Sequence, residues 1–145
     1  MTYLSTAPLS LDALLAEVAA PHCGGTCAFL GTVRDGPEDG GVTAIEYSAY
    51  DAMAEAEMDR IVSETRRRWP DARVAVRHRL GLVAAEEASI AIAVATPHRA
   101  DAFAACRHVI EEVKKRLPVW KKELRADGTA TWVDPSGHPS MVGPQ

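Results

Sequence analysis

All four lysines of the chain fall within nine residues, at Lys114, Lys115, Lys121 and Lys122, whereas its twelve arginines are spread from Arg34 to Arg125. Where arginine supplies the positive charge elsewhere, a cluster made of lysine alone points to a use a guanidinium cannot serve. Lysine is a point charge whose pKa burial can lower and which can then take or give a proton. Lys114 stands four residues after Ile110 and one after Val113, so it borders the apolar stripe of a predicted helix. Lys115 points further round, toward solvent. Lys121 and Lys122 follow Trp120 in a predicted strand and therefore face opposite sides of a sheet, and Lys121 is the one expected to share a side with Lys114. Such a pair could stabilise developing negative charge and move protons. The plainer reading is a solvated basic patch completing a helix C-terminus, where cations are favoured.

His98 and Arg99 fall in the first turn of the same predicted helix. Free backbone N–H groups and the helix dipole favour an anion there, and Arg99 adds a planar fork for phosphate or carboxylate. The alternative is a surface pair between Arg99 and Asp101 with His98 merely exposed. Fifteen residues separate Arg99 from Lys114, or roughly 22 Å along a helix, so one chain cannot close both on one small ligand. If both serve one substrate, two copies must contribute, as in a symmetric homodimer. Arg34 ends a predicted strand and enters the glycine-rich segment Arg34–Gly41, a position where site residues are common; an ion pair with Asp35 or Glu38 is the structural alternative. His22, Cys23 and Cys27 lack both the commonest zinc spacing and a second Cys/His pair, and no metal is expected. Cys106 lies on an apolar helix stripe as a small hydrophobe. No phosphate-binding loop of the P-loop or dinucleotide type is present, and no cofactor is expected.

The elements that must carry these residues follow from pattern. A short helix over Ser10–Ala20 has Ser10 as N-cap and Leu11, Leu14, Leu15 and Val18 on one face. Cys27–Val33 reads as a buried strand, Arg34–Gly41 as a mobile loop, and Val42–Tyr50 as an alternating strand. Asp51 is expected to cap a helix reaching Trp69, with Met58, Ile61, Val62, Thr65 and Trp69 inward and Pro70 as its stop. Arg73–Leu80 and Ala88–Thr96 are strands joined by a hairpin-like connection over Gly81–Glu87. Thr96 and Pro97 open the second long helix, whose stripe is Phe103, Cys106, Ile110, Val113 and Leu117, and Pro118 ends it. Val119–Arg125 and Thr129–Val133 are strands around the turn at 126–128, and the tail from Asp134 is loose. Adjacent strands joined by short loops predict an α+β fold with a largely antiparallel mixed sheet and helices packed on it.

The 145 residues suit one domain, residues 1–145, with a core over about 4–133. Net charge is −4, with 47% hydrophobic and 25% charged residues, which disfavours a nucleic-acid-binding domain but not a small basic pocket. No apolar run is long enough to span a membrane. The N-terminus lacks secretory-signal features, and three cysteines, an odd number, fit a reducing cytoplasm.

Several of these segments resemble the catalytic (large) subunit of molybdopterin synthase. They are 29–35 (Phe-Leu-Gly-Thr-Val-Arg-Asp), Ile45-Glu46-Tyr47 with Tyr50, Met53 and Ala54, and His78-Arg79-Leu80-Gly81. His98-Arg99 with Ala102-Phe103, Lys114 with Pro118 and Trp120-Lys121-Lys122-Glu123, and Trp132-Val133 complete the series. The resemblance implies a hammerhead-type α+β fold and a dimer of this subunit. Each end of the dimer would bind a small ubiquitin-like sulfur-carrier subunit, giving a heterotetramer. The carrier's C-terminal Gly-Gly thiocarboxylate would enter the pocket and transfer two sulfurs to cyclic pyranopterin monophosphate. Lys114 and Lys121 match the catalytic lysines of this sulfurtransferase family, with Lys114 nearest the thiocarboxylate. Arg34, His98 and Arg99 match its substrate-binding positions, with Thr32, Val33, Lys122 and Glu123 beside them. His98 and Arg99 would act from the second subunit. Thr32 stands where some relatives carry lysine. The chain ends Gly143-Pro144-Gln145, so the carrier is expected to be a separate protein. A non-catalytic dimeric module that binds a phosphorylated ligand or acidic peptide tail through the same basic residues is the competing reading.

Overall fold

The computed structural model describes residues 1–35 and 40–144, so residues 36–39 of the expected mobile loop lie outside the described residues. In chain order the elements are β1 (Leu4–Ser5), α1 (Leu11–Val18), β2 (Gly25–Thr32), β3 (Val42–Ala49), α2 (Asp51–Arg68), β4 (Arg73–Arg79), β5 (Gly81–Ala84), β6 (Ala88–Thr96), α3 (Arg99–Arg116), β7 (Val119–Arg125), β8 (Ala130–Val133) and β9 (Pro139–Ser140). They form two sheets, ordered β1-β4-β6-β2 and β5-β3-β7-β8-β9. Pairing is antiparallel except for β1 with β4 among the described residues. The α+β architecture expected from the sequence is therefore the one found.

Strand β6 shows why the layers stack as they do. Its residues alternate by size: Ile90, Ile92 and Val94 enter the main core, while Ala91, Ala93 and Ala95 enter a second cluster beneath α1. The alternation follows from the two-residue period of a strand, and the alanines let Leu14 and Val18 of α1 pack close. On the other face Ala54, Met58, Ile61 and Val62 of α2 meet Ala105, Cys106, Val109 and Val113 of α3. Burying each of the larger side chains contributes about 1.5–3 kcal/mol. Ser10 caps α1 as expected, its Oγ accepting from the Ala13 N–H at 3.2 Å.

Several expectations are corrected. Gly81–Glu87 is not a plain connection, because β5 within it pairs with β3 in the other sheet. Tyr50, not Asp51, is the N-cap of α2, without a side-chain cap, and Asp51 sits in the first turn, where its charge suits the helix dipole. Likewise Thr96 stays in β6, kept extended by the proline after it. Its Oγ1 donates to the His98 carbonyl at 2.5 Å, and His98 is the N-cap of α3. Phe103 is 64% exposed, because the buried face of α3 runs through Ala102, Ala105, Cys106, Val109 and Val113. Strand β2 is not buried: it forms a sheet edge, with Phe29 and Leu30 outward. The tail from Asp134 is built rather than loose. Strand β9 pairs with β8, and the Asp134 carboxylate accepts from the Ser136 and His138 backbone N–H groups at 2.9 and 3.1 Å.

Candidate functional site

Lys114 stands in the last turn of α3 and Lys121 is the third residue of β7. The joint between them is short and stiff. Leu117 caps α3, its N–H donating to the Val113 carbonyl at 3.0 Å, and the Val119 N–H returns to the Leu117 carbonyl at 2.9 Å. Pro118 fixes one more backbone angle. The chain thus turns directly from helix to strand, and both lysines open onto one cleft.

The cleft has two lobes with the lysines between them. The narrower lobe is walled by Ile90, Val113, Leu117 and Val119, and His78 and Asp134–Gly137 also line it. The wider lobe holds Thr32, Val33, Arg34, Tyr47, Ser89 and Glu123. Register explains part of this grouping. Lys121 lies opposite Tyr47, and Glu123 opposite Ile45, so alternate residues of β7 reach the same side. Thr32 follows a bulge after Gly31 that re-aims the end of β2 toward the cleft.

Charge within the cleft is unevenly balanced. The pKa of Lys114 lies below the ordinary lysine value, first because neighbouring protein atoms strip water from its ammonium and second because Lys121 repels it. The side chain as a whole is exposed, so the dehydration belongs to its cleft side only. His78 is 6% exposed and its pKa is pushed down to about 4, by burial first and then by the charges of Lys114 and Lys121, against a hydrogen bond that favours the charged ring. The ring lies edge-on to Tyr47, with centroids 5.2 Å apart. Burial likewise raises the Tyr47 phenol.

The residues expected from sequence divide into three groups. Lys114, Lys121, Thr32, Val33, Arg34 and Glu123 come together at the cleft. Val33 presents little to it: the side chain is 3% exposed, its N–H donates to the Glu87 carbonyl at 3.0 Å and its carbonyl accepts from Glu86. Lys122 lies on the opposite side of β7, its Nζ 5.6 Å from the Trp132 ring centroid. His98 and Arg99 lie exposed at the far end of α3 and do not line the cleft.

Residues absent from the sequence-derived set also appear here. His78 is in phase with Val74 and Val76 on the inward face of β4, and a histidine among core valines was a readable signal. Asp134–Gly137 reads as a turn motif, but nothing local says that the turn lines the cleft. Among the described residues no group of His, Cys, Asp or Glu is placed to hold a metal. Burial and the neighbouring Cys27 raise the Cys106 thiol to about 12, which disfavours the thiolate that nucleophilic attack needs.

A family model described as MoaE protein matches residues 4–116. The chain is 39% identical over 142 residues to the molybdopterin synthase catalytic subunit of Halalkalibacterium halodurans, with 92% of this chain and 90% of that one covered. It is 44% identical over 124 residues to the human protein of the same name, covering 86% and 65% respectively. Among solved structures, molybdopterin synthase from Staphylococcus aureus is similar with a TM-score of 0.85 at 30% identity, covering 90% of this chain and 95% of that one.

Proposed function

The chain belongs to the MoaE protein family, among the molybdopterin synthase catalytic subunits, and on that basis we propose that the cleft around Lys114 and Lys121 is where sulfur is transferred. It is thus a sulfurtransferase of molybdenum cofactor biosynthesis that works with a small subunit. The observation that carries the site assignment is the pairing itself. Two ammonium groups from different elements open on one cleft, one of them lowered in pKa by dehydration first and by the charge of the other second.

The chemistry needs no nucleophile from this chain. The small subunit's C-terminal Gly-Gly thiocarboxylate supplies the attacking sulfur, and cyclic pyranopterin monophosphate receives two sulfurs to form the dithiolene. Lys114, nearest the thiocarboxylate, stabilises negative charge as it develops on the acyl oxygen, and Lys121 shares in moving protons. The narrow apolar lobe suits an extended Gly-Gly end, and the wider lobe with Arg34 suits the cyclic phosphate. Glu123, on the same side of β7 as Lys121, helps orient the substrate, with Thr32 and Val33 at the rim and Lys122 behind.

His98 and Arg99 complete the site from a second copy of the chain. Their place at the far end of α3, roughly 22 Å from Lys114, supports a homodimer in which each cleft borrows from its partner. The outward Phe29, Leu30 and Phe103 offer apolar surface to that partner. With one small subunit at each end the assembly is a heterotetramer. Three free cysteines fit a reducing compartment, and the reaction is assigned to the cytoplasm.

The test is turnover with purified chain, thiocarboxylated small subunit and cyclic pyranopterin monophosphate, following the dithiolene product. Lys114→Ala is expected to lose at least about a hundredfold in kcat, and Lys114→Arg nearly as much, because a guanidinium keeps the charge but not the proton chemistry. Near-normal turnover by Lys114→Arg would return the cluster to a simple anion-binding patch.

A further inference from the structure

His78 is a buried polar side chain of the narrow lobe that the sulfur-transfer scheme leaves without a task. Its Nδ1 is 2.8 Å from the Arg79 carbonyl oxygen. A carbonyl can only accept, so Nδ1 carries the proton and Nε2 holds a lone pair. Nε2 has no hydrogen-bond partner among the described residues, and His78 is one of the residues that line the narrow lobe. The edge contact with Tyr47 and the hydrogen bond to Arg79 fix the ring, so the lone pair has a set direction.

The rest of the lobe defines what that lone pair can serve. Its walls are the aliphatic side chains of Ile90, Val113, Leu117 and Val119, and its inner charges are the two lysine ammonium groups. A chain end with a terminal carboxylate or thiocarboxylate finds cations for its negative end there. Its backbone N–H, stripped of water by the walls, still needs an acceptor. The Asp134 carboxylate, also in the lining, is already engaged with its own turn. We propose that Nε2 of His78 accepts a hydrogen bond from a backbone N–H of one of the two C-terminal glycines of the small subunit, and so sets the depth and register at which that tail enters.

The charges around the ring keep this acceptor available. Lys114 from α3 and Lys121 from β7 both oppose protonation of His78, as does burial, while Tyr47 from β3 stays neutral. A protonated imidazole would present a donor to an N–H and repel it. His78 is a positioning residue in this account and takes no part in bond making.

The proposal rests on the small subunit entering this cleft, and the test separates the two. The small subunit is prepared with each C-terminal glycine replaced in turn by N-methylglycine, which removes one N–H. Its affinity is measured by calorimetry for the wild type, His78→Asn and His78→Gln. Asn keeps a donor at the Nδ1 position for the Arg79 carbonyl but has no acceptor at the Nε2 position; Gln carries an oxygen near that position. For the wild type, one of the two N-methylations is expected to weaken binding roughly tenfold. The same change should cost less than about twofold in His78→Asn, and His78→Gln should recover part of the wild-type response. An equal penalty in wild type and His78→Asn, or no penalty from either N-methylation in the wild type, overturns the role of His78. Failure of the unmodified small subunit to bind the folded wild type overturns the sulfur-transfer reading instead. Nitrogen-15 spectra supply a check that needs no partner: a His78 ring protonated on Nε2 at neutral pH also overturns the proposal.

Discussion

Lys114 owes its lowered pKa to two causes that mutation can separate. Replacing Lys121 by Met removes the repulsion and leaves the dehydration, so the Lys114 pKa should rise toward 10.5, the unperturbed value. With four lysines in the chain, carbon-13 signals from labelled lysine side chains are few enough to follow individually, and an unmoved or lower pKa would show that Lys121 does not act on it. If the ammonium is the working form, wild-type turnover should fall as pH rises through this lowered pKa, earlier than an unperturbed lysine would dictate. His78 makes a second, independent prediction. Its folded pKa of about 4 lies below the unfolded value of 6.5, so the unfolded chain takes up a proton first as pH falls. The stability contributed is complete above about pH 6.5 and is lost as pH drops through 4, amounting to about 3 kcal/mol. Denaturant midpoints of the wild type should fall across that window by clearly more than those of His78→Gln, and parallel midpoints would show that the ring is not buried as neutral imidazole.

The helices and most strands were legible because their cores are periodic, as in Met58, Ile61, Val62 and Thr65 of α2, or alternating, as in Val74, Val76 and His78 of β4. What the sequence hid was pairing between distant segments. Strand β5 has four residues and takes its identity from β3, more than thirty positions away, so no local pattern marks it. Thr96 and Asp51 carry good capping side chains, yet each is outbid by tertiary geometry: Thr96 by its place in β6, Asp51 by a helix that already begins at its own position. The lysine pair was legible from composition and period together, whereas the place of Asp134–Gly137 in the lining of the cleft depends on the β8–β9 pairing and was not. The junction of β2 with α3 gives the test for this level. A Cβ on Gly25 would stand 2.8 Å from the Arg99 Cα and 2.9 Å from its backbone nitrogen, and a backbone atom cannot swing aside as a side chain can. Gly25→Ala should therefore cost about 1–3 kcal/mol in a denaturant titration and shift the start of α3, where His98 and Arg99 sit. A neutral substitution would mean that the two elements are not in contact there.

For the assembled molecule, the separation of Arg99 from Lys114 on one helix predicts complementation. Suppose each cleft takes Lys114 from one chain and Arg99 from the other. A mixed dimer of Lys114→Ala and Arg99→Ala chains then has one cleft with both defects and one with neither. Random exchange makes half the dimers mixed, so two individually inactive proteins should together recover about a quarter of wild-type turnover per site. Recovery close to zero would place both residues in the same chain's cleft or exclude Arg99 from the reaction. The turn from α3 into β7 has a further consequence. Lys114 and Lys121 hang from opposite sides of one corner, braced by Pro118 and by backbone hydrogen bonds at Leu117 and Val119. Both residues ride on this one joint, so a change in its length alters the spacing of the two ammonium groups directly. A single inserted residue between 117 and 119 would turn the strand's side chains over and take Lys121 away from Lys114.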